Sequence, residues 1–185
     1  METSLLARPF RRCDLAGIQS GWWPLARAKI GEQDYPTRDA SLIGAAGVHF
    51  VVSELSLRGL IALPTIRNTA GVDVVVTNKA GTWHANLQVK SSRSLARFWV
   101  VGKKYKDWVG PNNYYVFVRY DSKARSLEAF LAFSKEVARS VAEGREKEKQ
   151  KGLKEWAPCF YPKENLAQLK KKWDDFGKEF ANQKF

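Results

Sequence analysis

Cysteine is scarce in this chain of 185 residues, and long apolar runs are missing. Two cysteines, Cys13 and Cys159, exclude a disulfide framework, and their wide separation does not fit a zinc site. We expect no membrane span, because uninterrupted apolar runs stay well short of the roughly 18 residues that a crossing helix needs. No apolar segment of a secretory signal follows the basic start of the chain. Together these absences predict a cytoplasmic location and no membrane partner.

Positive charge is in clear excess. The chain has 31 Lys and Arg against 19 Asp and Glu, a net charge of +12, with an isoelectric point near 9.8. Such a surface attracts polyanions, so nucleic acid is the first partner to consider. A basic surface without a particular ligand accounts for the charge equally well, so charge alone does not identify a function.

The pattern of apolar residues predicts one domain with an appendage. Residues 1–40 show neither helical nor strand periodicity and are expected to form an irregular N-terminal arm, whereas 41–185 form the domain with a C-terminal helical extension. The predicted helices cover 41–58, 134–143 and 162–180, and the predicted strands cover 60–63, 72–77, 83–90, 114–120 and 127–133. The charged run at 143–151 continues the second helix or forms a loop. This order predicts an α/β fold with a mixed central β-sheet flanked by helices.

The strands at 72–77 and 83–90 predict a β-hairpin closed by a four-residue turn. We expect Thr77 to pair with Thr82, which places Asp73 opposite Asn86. Alternation then puts one set of residues on a single face: Asp73, Val75, Thr77, His84, Asn86, Gln88 and Lys90. A half-exposed antiparallel sheet has a polar face in any case, so solvent exposure alone also explains the alternation.

The acid and the lysine on this face are the groups that phosphodiester hydrolysis requires. A divalent cation can bridge an acid, a phosphate oxygen and the attacking water, and it lowers the pKa of that water. A neighbouring lysine holds the water and offsets the negative charge that develops at phosphorus. The tripeptide Gln-x-Lys is weak by itself, because residues 88–90 and 168–170 both contain it. The first copy lies on a strand beside an acid, whereas the second falls on a predicted helix.

The segment Gly71-Val72-Asp73-Val74-Val75-Val76, followed by Asn86-Leu87-Gln88-Val89-Lys90, resembles the motif of the PD-(D/E)XK nuclease superfamily. This superfamily includes restriction endonucleases, archaeal Holliday-junction resolvases and many repair nucleases. Residues 44–50, with Glu54-Leu55 and Arg58-Gly59, look like its first core helix, and residues 67–73 look like the loop that delivers its first acid. The resemblance covers about residues 44–134 and implies a restriction-endonuclease-like core.

Carried over residue by residue, the resemblance implies that Asp73 is the metal-binding acid and that Lys90 orients the attacking water. Gln88 stands at the second acidic position, where the superfamily usually has Asp or Glu, and the backbone carbonyl of Val89 assists at the metal. The implied ion is Mg²⁺ or Mn²⁺, for which a neutral amide is a weaker ligand than a carboxylate. On the first helix, Glu54 either supports the site or forms a surface salt bridge.

Cations alternate with aromatic residues in the segment that follows the second hairpin strand. The cations expected to bind the nucleic-acid backbone are Arg93, Arg97, Lys103, Lys104 and Lys106. Cations neutralise phosphates, and aromatic rings stack on bases or sugars, so the segment suits a nucleic-acid ligand. The alternative is a solvated loop with buried tryptophans.

These patterns together predict a metal-dependent DNA endonuclease that hydrolyses phosphodiester bonds. The first alternative is a catalytically inactive protein of the same fold that only binds nucleic acid. A second alternative is a subunit of a larger complex whose basic face contacts RNA or protein. The oligomeric state stays open, and a homodimer is compatible with the sequence.

Overall fold

The computed structural model describes residues 39–66, 71–92, 98–121, 124–150, 157–162 and 165–178. Nearly all of the predicted N-terminal arm lies outside these residues. Within them the chain forms three α-helices: Ala40–Leu57 (α1), Ser134–Gln150 (α2) and Leu166–Asp175 (α3). The strands are Ile61–Pro64 (β1), Val74–Thr77 (β2), His84–Ser92 (β3), Trp99–Val100 (β4), Asn113–Asp121 (β5), Ser126–Phe133 (β6) and Cys159–Phe160 (β7), with a 3₁₀ helix at Lys103–Lys106.

Five of these strands form one sheet in the order β1-β2-β3-β5-β6. Strands β3 and β5 run parallel, and the other neighbouring pairs run antiparallel. A parallel pair needs a crossover connection, which the chain between β3 and β5 supplies. The predicted α/β class with a mixed central sheet is therefore confirmed.

Strands β4 and β7 pair antiparallel in a separate two-stranded ribbon, with Trp99 opposite Phe160. The sequence did not predict this ribbon, because two residues per strand are too few to show alternation. The Trp99 ring packs against Phe117 and Phe130 of the central sheet at centroid distances of 5.1 and 5.9 Å. The ribbon is thus part of the layer that covers one face of the sheet.

The two faces of the sheet are covered by different layers. One core joins α1 and α3 to the first face through residues such as Leu87 and Trp173. A second core joins α2, the 3₁₀ helix and the ribbon to the other face, through residues such as Val137 and Phe117, and Leu169 of α3 also belongs to it. Lys90 pairs with Phe117 in the parallel register of β3 and β5, so both side chains belong to this second face.

The first helix is bounded and positioned by a few specific residues. The side chain of Asp39 caps α1 by accepting the Ser41 N–H at 2.8 Å. Gly59, with a φ of +83°, follows the end of the helix, where an ordinary side chain would be strained. In the middle of α1, a Cβ added to Gly47 would overlap the Ser91 side chain of β3. A glycine therefore sets how closely this helix approaches the sheet.

Among the described residues, one helix, α1, is long and apolar enough to cross a membrane, although the sequence has no uninterrupted apolar run of that length. It is 18 residues long with a mean hydropathy of 1.5 and 17% of its residues buried, so by length and composition it could cross a bilayer. Its Ser, Gly and Ala residues interrupt the apolar runs without making the helix polar, and the expectation that no segment spans a membrane stays a prediction. A single helix of this kind is a weak indication, since core helices of soluble proteins have the same composition.

The β2–β3 hairpin has a different register from the one predicted. Thr77 lies opposite His84 rather than Thr82, and Asn86 pairs with Val75 rather than with Asp73. The register is shifted by two residues, and a shift by an even number leaves every side chain on its original face. Within β2 and β3 the predicted division of residues between two faces therefore survives the error, whereas Val72, which precedes β2 and was expected beside Val74, packs against the core of the other face.

The buried side chain of Asn78 explains the wider turn. Its Oδ1 atom accepts the backbone N–H groups of Thr82 and Trp83 at 3.0 and 3.2 Å. The hydroxyl of Thr77 donates to the Trp83 carbonyl at 2.7 Å. These bonds stabilise a longer connection over residues 78–83. The Asn78 side chain accepts backbone N–H groups that in a four-residue turn would bond to a backbone carbonyl.

The last two helices also end at positions that differ from the prediction. Helix α2 continues to Gln150, so the charged run that begins at residue 143 is helical up to that point. Helix α3 ends at Asp175, because Gly177 adopts a φ of +78° just beyond it. The predicted apolar stripe is buried at Leu169, Trp173 and Phe176, and its last member, Phe180, lies outside the described residues.

Candidate active site

Asp73 lies just before β2, at the point where that strand begins to pair with β3. Its backbone N–H donates to the Leu87 carbonyl at 2.9 Å, and its carboxylate Oδ2 accepts the Val89 N–H at 2.7 Å. Gly71, with a φ of +79°, makes the bend that precedes the acid, a conformation that glycine adopts without strain. The carboxylate is thereby fixed against the strand that carries the first Gln-x-Lys tripeptide.

Asp73 and Lys90 attract each other in this position. Burial raises the pKa of Asp73, while the Val89 N–H and the charge of Lys90 oppose that rise. Burial likewise lowers the pKa of Lys90, and the charge of Asp73 opposes that fall. Each group is therefore closer to its neutral form than in water, and each favours the charged form of the other. Paired groups with such shifted pKa values are common at functional sites.

Gln88 is half-buried beside the bend that carries Asp73. Its register partner on β5 is Tyr115. A Cβ added to Gly71 would lie 3.7 Å from the Gln88 Nε2 atom and 2.9 Å from the Trp108 ring. The Gln88 amide therefore lies close to the chain just before Asp73, and the sheet places Gln88 and Lys90 on one face.

The backbone of Val89 presents a carbonyl at the same edge of β3. In a strand, the N–H and the C=O of one residue point to the same side. The Val89 N–H meets the Asp73 carboxylate, and the ladder between β2 and β3 has ended at Val74. The Val89 carbonyl therefore faces the position of the acid rather than a further residue of β2.

Two other residues on this face, His84 and Asn86, have structural partners. The Asn86 side chain donates to Asn113 Oδ1 at 3.0 Å, and Asn113 donates in turn to the Trp108 carbonyl at 2.9 Å. The His84 Nε2 atom lies 3.2 Å from the Asn112 side-chain nitrogen. These bonds anchor the chain that enters β5, which accounts for both residues without a catalytic role.

Glu54 occupies a different environment from Asp73. Its carboxylate pairs with Arg58 at 3.2 Å, one turn further along α1. Arg58 donates to the Trp173 carbonyl and lies over the Trp173 ring with its charge 4.6 Å from the centroid. Helix α1 packs on the face of the sheet opposite to Lys90. The described contacts therefore favour the salt-bridge alternative for Glu54 and do not bring it to the site.

In the basic segment that follows β3, the cations and the aromatic rings lie in different environments. Lys103, Lys104 and Lys106 of the 3₁₀ helix are exposed, whereas Trp99, Tyr105 and Trp108 are only 2%, 3% and 9% exposed. The expectation that these three rings stack on bases is wrong, because they are part of the core on the second face. The Trp99 indole N–H is already bonded to the Val118 carbonyl. The predicted phosphate ligands Arg93 and Arg97 lie outside the described residues.

The donors available to a metal ion at this site are few. They are the carboxylate of Asp73, the amide oxygen of Gln88 and the carbonyl of Val89. Among the described residues, no group of three or more His, Cys, Asp or Glu side chains could hold a metal ion. Mg²⁺ takes oxygen ligands and keeps several waters, so a single carboxylate with two neutral oxygens fits a weakly held ion.

Two buried residues near Gln88 were not predicted as part of the site. In the part of the chain that the structure describes, the hydroxyl of Tyr115 and the indole N–H of Trp108 are buried without a hydrogen-bond partner. Burial raises the pKa of Tyr115 well above its usual range. Buried polar groups are normally hydrogen-bonded, so these two indicate unsatisfied bonding capacity beside the site. The parallel pairing that brings Tyr115 to Gln88 has no local signal in the sequence.

Comparisons of the chain with protein-family models, with curated proteins and with solved structures give no match. The resemblance to PD-(D/E)XK nucleases therefore depends on the quoted residues and on no relative. What the structure adds is the contact of Asp73 with β3 and its electrostatic interaction with Lys90.

Proposed function

We propose that this protein is a metal-dependent endonuclease that hydrolyses phosphodiester bonds of DNA, and that its mixed sheet is a restriction-endonuclease-like core. The observation that carries the proposal is the position of Asp73, whose carboxylate is bonded to Val89 and interacts with the charge of Lys90. An acid and an ammonium group lose hydration when they are partly buried, which is unfavourable for folding. A functional site that needs both charged groups explains why Asp73 and Lys90 are partly buried side by side.

In this mechanism the side chains have separate tasks. Asp73 and Gln88 would hold Mg²⁺ or Mn²⁺, which when bound lowers the pKa of the attacking water and offsets charge on the phosphate. The Lys90 ammonium donates a hydrogen bond to that water and stabilises the negative charge that develops at phosphorus. The Val89 N–H keeps the Asp73 carboxylate in one orientation throughout.

The test is incubation of the protein with duplex, branched and single-stranded DNA in the presence of Mg²⁺ or Mn²⁺. The wild-type protein should cleave at least one of these forms, and excess chelator should stop the reaction. Asp73→Ala should not cleave, whereas Asp174→Ala should cleave like the wild type, because Asp174 is an exposed acid of α3 that pairs with Lys170. Cleavage by Asp73→Ala at the wild-type rate would contradict the proposal.

A second candidate is a protein of this fold that binds nucleic acid without cleaving it. The single carboxylate of the site favours this candidate, because Gln88 provides a neutral ligand where a second charge would strengthen metal binding. The same incubation distinguishes the two functions. Salt-sensitive binding of DNA without cleavage of any form, with either metal, supports the second candidate.

A further inference from the structure

An open cleft of about 700 Å³ lies between the 3₁₀ helix and the C-terminal half of α2. Besides Tyr105, Ala142 and Gln150, it is lined by the cations Lys106, Arg145, Lys147 and Lys149 and by the acids Glu143 and Glu146. The three cations from α2 are exposed, as is Lys106. The cleft is therefore a basic surface built from two elements that are distant in the sequence.

Cations from α2 and from the 3₁₀ helix both act on the carboxylate of Glu146. The hydrogen bond and charge of Lys149, then the charges of Arg145 and Lys106, lower the pKa of Glu146. The Lys149 ammonium lies 2.8 Å from the Glu146 carboxylate, and the two side chains are 55% and 64% exposed. An exposed ion pair of this kind is weak, because water competes for both charges. An external anion can therefore compete with Glu146 for these cations.

The cleft lies on the side of the sheet that carries the candidate active site. Helix α2 packs through Val137 and Val141 into the core of the second face, which also contains Phe117. Phe117 is the register partner of Lys90, so the lysine shares that face. A ligand in the cleft is thus on the same side of the sheet as the groups proposed to act on it.

We propose that this cleft binds the phosphate backbone of the DNA, with the end of α2 as one wall and the 3₁₀ helix as the other. Arg145, Lys147 and Lys149 contact phosphates together with Lys106, while Glu146 competes with the backbone for the same cations. The inference rests on the proposed function for its choice of DNA. It assigns to α2 a part of the binding surface that the basic segment after β3 does not contain.

The experiment measures binding of a random-sequence DNA duplex at several salt concentrations in excess chelator. The variant Arg145→Gln/Lys147→Gln/Lys149→Gln should bind more weakly, with a log–log salt slope reduced by about two to three, since each lost duplex contact removes roughly 0.9. The control is Lys170→Gln/Lys171→Gln/Lys178→Gln, which removes the same charge from α3 and the residues after it. An equal change in both triple variants would overturn the proposal, because net charge would then explain the effect.

The variant Glu146→Gln should change DNA affinity in the opposite direction from the triple variant. Removing this acid frees Lys149 and raises the local potential, so binding should tighten and the salt slope should steepen by about one. The variant changes one exposed side chain, so folding is expected to be unaffected, and a thermal melt checks this. Unchanged or weaker binding of Glu146→Gln would overturn the proposed competition between the acid and the backbone.

Chelator separates this inference from the proposed function, because no metal-dependent cleavage occurs during the binding measurement. If the α2 variants bind like the wild type while Asp73→Ala loses cleavage, the cleft proposal fails and the endonuclease stands. If the α2 variants lose binding and salt slope while no DNA form is cleaved, the cleft proposal stands and the endonuclease fails.

Discussion

The Oδ2 atom of Asp73 lies 2.7 Å from the backbone nitrogen of Val89. The acid takes the hydrogen-bonding position that a neighbouring strand would otherwise fill, one residue before Lys90. Replacement by alanine would leave that N–H without its acceptor, so Asp73→Ala changes the sheet edge as well as the chemistry. Asparagine keeps an oxygen acceptor, and Asp73→Asn is therefore the variant that separates the two effects.

Lys90→Met removes the ammonium group and keeps most of the side-chain length. We expect metal-dependent cleavage to be lost and DNA binding to remain, because Lys90 is assigned to the chemical step. The pKa of Asp73 should rise further, since the attractive charge of Lys90 no longer opposes the effect of burial. Carboxyl-carbon NMR titration measures that pKa. An unchanged value, with the exposed Lys135→Met as control, would show that the two groups do not interact.

The pH dependence of stability provides a second test of Asp73. Burial raises its pKa in the folded state above the ordinary value of 3.8. The contribution of protonated Asp73 to the free energy of unfolding is therefore fully present below pH 3.8. This contribution is lost as the pH rises through the folded-state pKa. Asp73→Asn has no such loss, so its free energy of unfolding relative to wild type should increase from acidic to neutral pH. Urea unfolding across this range measures the difference, which a constant offset would contradict.

Gln88→Glu should tighten binding of Mg²⁺ or Mn²⁺ at the site and can raise the cleavage rate, because a carboxylate is the better ligand. Metal titration of the wild type and the variant measures the change in affinity. The matched control is Gln168→Glu, which alters the second Gln-x-Lys tripeptide on α3, where Gln168 is exposed. Equal affinity in wild type and Gln88→Glu would show that this side chain does not contact the ion.

Replacing Lys103, Lys104 and Lys106 with alanine should weaken binding of all DNA sequences to a similar extent. The log–log salt slope should fall by about two to three, as expected for the loss of three phosphate contacts. Folding should change little, because the three side chains are exposed. Binding titrations at several salt concentrations check the slope, and a thermal melt checks the fold. The same affinity and slope as wild type would mean that the lysines are solvated and bind nothing.

Periodicity predicted the helices, the strands of the central sheet and the shared face of Gln88 and Lys90, because alternation is a local property of the chain. It did not predict the hairpin register, which depends on two backbone groups bonding to the side chain of Asn78. Nor could it predict that Tyr115 lies beside Gln88, since the parallel pairing of β3 with β5 joins segments separated by a long connection.

The expectation that the rings of the basic segment stack on bases failed for a different reason. Lysines alternating with aromatic residues are typical of a binding surface, and they are equally typical of a segment that buries its rings and exposes its charges. Tyr105 and Trp108 follow the second pattern. The sequence does not distinguish the two, because the choice depends on whether a core is available beneath the segment, here the core around Phe117.

The approach of α1 to the sheet can be tested at two glycines of the same helix. Gly47→Ala should destabilise the protein by about 1–3 kcal/mol, because the new Cβ would overlap the Ser91 hydroxyl and lie 3.1 Å from its Cβ. Gly44 has open space around it, so Gly44→Ala should stabilise the helix by about 0.5–1 kcal/mol. Chemical denaturation measures both. Destabilisation of equal size at the two positions would show that the close contact with β3 is unimportant.

The buried residues in and around the 3₁₀ helix have a consequence for its lysines. Val101 and Tyr105 are held in the core, and the Trp108 carbonyl is bonded to Asn113, so the backbone that carries the three lysines is ordered before any ligand arrives. A lysine on an unstructured loop loses backbone as well as side-chain conformational entropy when it binds a phosphate, at roughly 1–2 kcal/mol per backbone residue. Here only the side chains have freedom left to lose, which lowers the entropic cost of association with any polyanion. Rings that cannot touch a base thus favour binding by restricting the chain that carries the charges.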